Sequence, residues 1–127
     1  MNSIEIIQDF QTKIRNGELE KAFDCISESA VWHSEEIGAP WSGIHNGKDA
    51  IRRHFLAMAN TTKNMTRHTD NWLEQEGTVI EIGSLKCVLT KTNSDFETQY
   101  ICIYKVKDGQ ILSYRIFEDS LKLYRAY

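Results

Sequence analysis

What this sequence has little of narrows it at once. It holds one proline, Pro40, and three cysteines, Cys25, Cys87 and Cys102, with no CxxC pair among them. An odd set of scattered thiols is no disulfide framework, so they read as reduced, mostly buried small hydrophobes of a cytoplasmic chain. No apolar run approaches the roughly 20 residues a membrane-spanning helix needs. Residues Met1 to Ile14 also lack the basic start and continuous apolar stretch of a signal peptide. No block of one charge appears either. Lysines and arginines are scattered and the net charge is -3, which excludes a broad basic field for nucleic acid or an anionic membrane. His33, His45, His54 and His68 show no paired helical spacing and no cysteine partner, so no metal site is expected. There is no nucleophile-triad signature and no phosphate-binding glycine loop.

What is present is ordinary in bulk and informative in order. At 127 residues, with 41% hydrophobic and 26% charged residues, the chain is the size and composition of one globular domain spanning 1–127. Ile4, Ile7, Phe10 and Ile14 recur at helical spacing and stripe one face of a first helix. Asn16-Gly17 ends it, and Leu19, Ala22, Phe23 and Ile26 stripe a second. Ala30 to His33 reads as a short strand, and Ser34 to Gly47 as an irregular stretch. A third helix starts near Lys48, with Ile51, Phe55, Met58 and Ala59 on one face. From Met65 the pattern becomes that of strands: Met65 to Glu74, Thr78 to Thr90, Thr98 to Val106 and Ile111 to Glu118. Asp108-Gly109 is a tight-hairpin signal, and Glu76-Gly77 and Asn93-Ser94 fit the earlier turns. Helices first and antiparallel strands after predict an α+β domain with its helices on one face of the sheet.

Several of these pieces carry a resemblance. Asn16-Gly17-Glu18-Leu19 stands between the first two helices and Val31-Trp32-His33 on the first strand. The run from Gly43 to Ile51 leads into Phe55, and Gly109-Gln110-Ile111 precedes Asp119 by ten residues. In this order they resemble the SnoaL-like branch of the nuclear transport factor 2-like superfamily, over nearly the whole chain. The resemblance implies a cone-shaped, curved, mostly antiparallel sheet wrapped by three N-terminal helices around an apolar pocket. It also implies a homodimer formed through the sheet, and it leaves function open.

In cyclase-like and epoxide-hydrolase-like relatives an Asp at the end of the last strand works as acid or base, which makes Asp119 the first catalytic candidate. A carboxylate desolvated at the mouth of an apolar cone has its pKa raised toward the range useful for proton transfer. Glu118 competes with it. Successive strand residues face opposite sides, so one of the two enters the pocket unless a bulge intervenes. His33 is the second catalytic candidate, as a proton shuttle near neutral pH. Trp32, Trp41, Phe10 and Ile14, with Phe55 and Met58, are candidate pocket wall. Tyr100, Cys102 and Tyr104 share one strand face, and the two phenols there could hold a carbonyl or enolate oxygen. Each candidate also has a plain structural reading: a capping or ion-paired Asp119, a packed His33, aromatics that only fill the core.

The resemblance does not extend to the groups of ketosteroid isomerase. Phe10, Ser34 and Cys102 stand where that enzyme needs a tyrosine, a base and an acid, so its activity is not expected. Nor do Lys86 and Val88 supply the Arg and Asp of the epoxide-hydrolase triad. The expectation is therefore a protein that binds an apolar small molecule, either as a cofactor-independent isomerase, cyclase or hydratase, or as a non-catalytic ligand-binding or assembly module.

Overall fold

The computed structural model describes residues 1–127. Its elements are α1 (Ser3–Arg15), α2 (Leu19–Phe23), β1 (Ile26–Ser34), β2 (Gly43–Asn46), α3 (Lys48–Thr61), β3 (Thr62–Gln75), β4 (Thr78–Leu89), β5 (Ser94–Lys107), β6 (Gln110–Glu118) and α4 (Ser120–Ala126). This is an α+β cone: one curved, unclosed six-stranded sheet in the order β2-β1-β6-β5-β4-β3, with helices against its concave side. All neighbouring strands run antiparallel except β1 and β6, which are parallel. No helix is long and apolar enough to cross a membrane.

Local sequence explains most boundaries. Asn2 caps α1 by accepting from the Glu5 amide, and the Glu5 side chain returns the bond to Asn2 N, a capping box. The helix closes with Gly17 N–H on Ile14 O and Glu18 N–H on Lys13 O, the paired bonds of a Schellman ending. Asp108 and Gly109 both take positive φ, 51° and 75°, as do Glu76 and Gly77 at 50° and 81°, so two tight turns join the long strands.

Strands β3 and β5 open at Thr62 and Ser94, ahead of the expected Met65 and Thr98, and three further differences change the layout. The second helix stops at Phe23, and Ile26 opens β1 instead, because it pairs with Ile111 of β6, whose amide donates to Cys25 O. Within the stretch expected to be irregular, Gly43–Asn46 forms β2 by pairing with β1. A fourth helix, α4, follows the last strand, with Asp119 as its N-cap.

The core sits between the helices and the inner sheet face. Phe10, Phe23, Trp32 and Phe55 meet at ring-centroid distances of 5.7 to 6.1 Å, mostly edge to face. Each such pair adds roughly 0.5–1.5 kcal/mol beyond burial. This cluster ties α1, α2 and α3 to β1, and it forms the floor on which the cavity rests.

Candidate functional site

Strand alternation aims one set of side chains into the cone: Tyr114, Ile116 and Glu118 from β6, Phe96 and Tyr104 from β5, Glu81, Leu85, Cys87 and Leu89 from β4. With α1 and α3 they enclose a cavity of about 610 Å³, lined by 26 residues of which 16 are hydrophobic. That volume is in the usual range for small-molecule sites.

Polar groups gather at two places on this wall. The first centres on Glu81, whose residue is 1% exposed. Its Oε1 accepts from Gln11 Nε2 at 2.9 Å and from Arg67 Nη2 at 3.2 Å. Its Oε2 accepts from Thr69 Oγ1 at 2.6 Å and from Tyr100 Oη at 2.9 Å. Four donors saturate the carboxylate, so it acts as a fixed anchor for Arg67. The guanidinium also gives Nε to Tyr100 Oη at 3.3 Å and lies over that ring, 4.6 Å from its centroid. Arg67 itself stays one-third exposed, 34% for the side chain, and lines the cavity.

Tyr104 and Tyr114 complete this end. They are a directly opposed pair on β5 and β6, with ring centroids 5.2 Å apart. Tyr104 Oη accepts from Gln11 Nε2 at 3.1 Å, and Tyr114 Oη accepts a weak bond from Cys102 Sγ at 3.7 Å. Burial pushes both phenols above their ordinary pKa, with Cys102 adding to it. They therefore stay protonated at neutral pH as O–H donors. Burial likewise pushes the Cys102 thiol up to about 12, which makes it a poor nucleophile.

The second polar place is Glu118, four residues along β6 on the same face as Tyr114. Burial raises its pKa from 4.5 to about 7; the Glu35 carboxylate adds to the rise and Arg67 opposes it. Glu35 is itself held by Arg115, Nη2 to Oε1 at 3.4 Å. Among the carboxylates of the wall, Glu118 is the one poised to exchange a proton near neutral pH.

The rim is made by the loop between β1 and β2. Trp41 is 4% exposed and lines the cavity, with its ring edge-on to Tyr127 at 5.3 Å. Its carbonyl accepts from His45 Nε2 at 2.8 Å and from His54 Nδ1 at 2.9 Å. A carbonyl only accepts, so these bonds assign the N–H to Nε2 of His45 and Nδ1 of His54. Burial drives the His54 pKa down to about 4; the Trp41 bond opposes this, and His45 adds to it. His54 is thus a neutral structural clamp.

The candidates read from the sequence separate as follows. Phe10, Ile14, Trp32, Trp41, Phe55 and Met58 line the cavity, as do Tyr104 and Glu118. Tyr100 and Cys102 share the inward face but lie behind Arg67, which covers them. His33 is on the opposite face of β1 from Trp32 and Ser34, with its ring against the Arg115 guanidinium. Asp119 is exposed and turned away: its side chain accepts from Lys122 N at 3.0 Å, and its own amide donates to Thr98 Oγ1 at 3.2 Å. Alternation along β6 puts Glu118 inside, and the strand ends before Asp119. Gln11, Arg67, Thr69 and Glu81 were not singled out from sequence. Their signal is weak, since Glu81 is a single charge in the otherwise apolar inward set of β4, Val79, Leu85, Cys87 and Leu89, and nothing local pairs it with Arg67 or Gln11.

Comparison with known proteins places this geometry. Residues 7–114 match the family model described as a SnoaL-like domain. The chain belongs to the SnoaL-like domain family. Its fold is shared with a nuclear transport factor 2-like protein of Burkholderia xenovorans LB400, at 21% identity and TM-score 0.89, covering 98% of this chain and 94% of that one. TerC, crystallised with polyporic acid, aligns at 16% identity and TM-score 0.86 over 99% of this chain and 98% of its own. A Mesorhizobium loti structure provisionally labelled a SnoaL-like polyketide cyclase aligns at 16% identity and TM-score 0.74, over 92% and 99%. At these identities the likeness establishes the SnoaL-like fold alone. No curated protein matches the sequence.

Proposed function

We propose that this SnoaL-like protein binds an apolar carbonyl compound in the cone and moves a proton on it without a cofactor, as in an isomerisation, cyclisation or hydration. The observation that carries the reading is Glu118: a wall carboxylate with a pKa of about 7, in a largely apolar cavity whose other end carries neutral phenol donors and a guanidinium. Ionised Glu118 takes a proton from carbon. The oxygen that gains charge is met by the phenols of Tyr104 and Tyr114 and by the Arg67 guanidinium, which Glu81 holds in place. Glu118 then returns the proton to a new position. Phe10, Trp32, Phe55 and Met58 hold the apolar body of the ligand. Crystallisation with polyporic acid of TerC, which shares this fold, supports small-molecule binding in such a cone.

Asp119 and His33 are assigned no direct step, because each is engaged outside the cavity. The chain pairs with a second copy through the outer sheet face, where Ile101 and Phe117 are 42% and 44% exposed and directly opposed.

Exchange of the activated protons of β-tetralone for solvent deuterium, followed by NMR, tests the proposal. The native protein accelerates exchange, and Glu118→Gln slows it by about a hundredfold or more while binding persists. The second reading, a ligand-binding module that catalyses nothing, is favoured by the saturated Glu81 anchor and predicts binding with no protein-dependent exchange.

A further inference from the structure

Gln11 is the one side chain of α1 that reaches both Glu81 and a cavity phenol. Its Nε2 lies 2.9 Å from Glu81 Oε1 and 3.1 Å from Tyr104 Oη. The orientation of its amide follows from the anchor. Glu81 is paired with Arg67 and accepts from the hydroxyls of Thr69 and Tyr100, so the Gln11 atom facing its Oε1 must be the NH2 group. That group has two protons. One goes to Glu81, and the other goes to the oxygen of Tyr104. A phenol that accepts from Gln11 must direct its own proton elsewhere, and Tyr104 Oη donates to no acceptor within the chain. The remaining direction is the cavity, which Tyr104 lines.

We propose that Gln11 is a specificity-determining residue: through Tyr104 it makes the deep end of the cavity a site for a hydrogen-bond acceptor, selecting ligands that present a carbonyl, ether or phenolate oxygen there. The inference rests on the small-molecule reading above and deepens it. Polarity passes along a fixed chain, from the Arg67-paired carboxylate of Glu81 through an amide whose orientation it dictates to a phenol whose rotor the amide dictates. Gln11 also lines the cavity, but both protons of its amide are taken by Glu81 and Tyr104, so its effect on an acceptor ligand runs through Tyr104. Burial of Tyr104 supports the same direction, because it keeps the phenol neutral and therefore a donor.

The test compares two probes of one shape, acetylnaphthalene and isopropylnaphthalene, by calorimetric titration of the full chain. The native protein is expected to prefer the ketone about tenfold, the worth of one buried hydrogen bond. Gln11→Ala and Tyr104→Phe should each bring that preference close to unity while leaving affinity for the hydrocarbon unchanged. In a Tyr104→Phe background, Gln11→Ala should change nothing further, an outcome that a merely structural Gln11 would not give. Equal binding of both probes by the native protein overturns the inference alone, as does a Gln11→Ala effect that survives without the Tyr104 hydroxyl. Binding of neither probe overturns the small-molecule reading and the inference together. Gln11→Met keeps the bulk of the side chain without its donors and takes the place of Gln11→Ala in the same comparison where the smaller residue folds poorly.

Discussion

The ring of Tyr100 crosses its β4 partner Gly83 at a point where a Cβ on that glycine would lie 2.8 Å from the phenol oxygen and 2.3 Å from His68 O. The missing side chain is what lets Tyr100 reach over β4 to Glu81 and Arg67. A neighbouring bulge in β3, between Thr69 and Asn71, brings that strand close at the same place. The anchor of the cavity's deep end therefore depends on a residue with no side chain.

Gly83→Ala is expected to destabilise the fold by about 1–3 kcal/mol, the usual range for overpacking a filled interior. The backbone oxygen of His68 has little room to yield. Thermal unfolding checks this, and an unchanged midpoint would show that β3 is looser than described.

Glu118 and His54 give opposite pH dependences. The folded pKa of Glu118 is raised, to about 7, so its contribution is fully present below the unfolded value of 4.5 and is lost as pH rises through 7. Glu118→Gln removes that loss. Its melting temperature relative to the native protein should climb between pH 4.5 and 7 and then level off. A parallel pair of curves would contradict the burial of this carboxylate.

His54 has a lowered folded pKa, about 4 against an ordinary 6.5. Its contribution is present above 6.5 and is lost as pH falls toward 4, because the unfolded chain takes up the proton first. His54→Asn should erase this acid-side loss at a cost in stability above pH 6.5. In the native protein the two slopes partly cancel between 4.5 and 6.5, so each shows clearly only when the other is removed.

Ile101→Asp should convert a dimer to a monomer, read by analytical ultracentrifugation, because it sets a charge in the middle of the exposed apolar pair with Phe117. Affinity for acetylnaphthalene should not change, since Ile101 faces away from the cavity. A protein that is monomeric from the start would rule out the proposed pairing.

The fold was legible because its signals are local. The α1 stripe, the Asn16-Gly17 ending and the Asp108-Gly109 turn each follow from a few neighbouring residues, and their order carried the family. Helix α4 was not anticipated because Asp119 was read as a candidate for chemistry, while its side chain caps the next helix instead. The site was harder to see. Phe10, Ile14, Phe55 and Met58 could be named from helix stripes and Trp32 and Tyr104 from strands, but parity on β6 could not choose between Glu118 and Asp119 until the sheet faces were known. Arg67 and Glu81 lie 14 residues apart and meet only through the β3–β4 register. Gln11 reaches Tyr104 from 93 residues away. No sequence period encodes such a meeting.

Glu118 is the group proposed to move the proton. The rate of β-tetralone exchange as a function of pH tests it most directly. In the native protein the rate should rise with pH through an inflection near 7, and in Glu118→Gln that inflection should be gone. An inflection that persists in the variant, or a native rate that never exceeds the solvent background, would rule out Glu118 as the base.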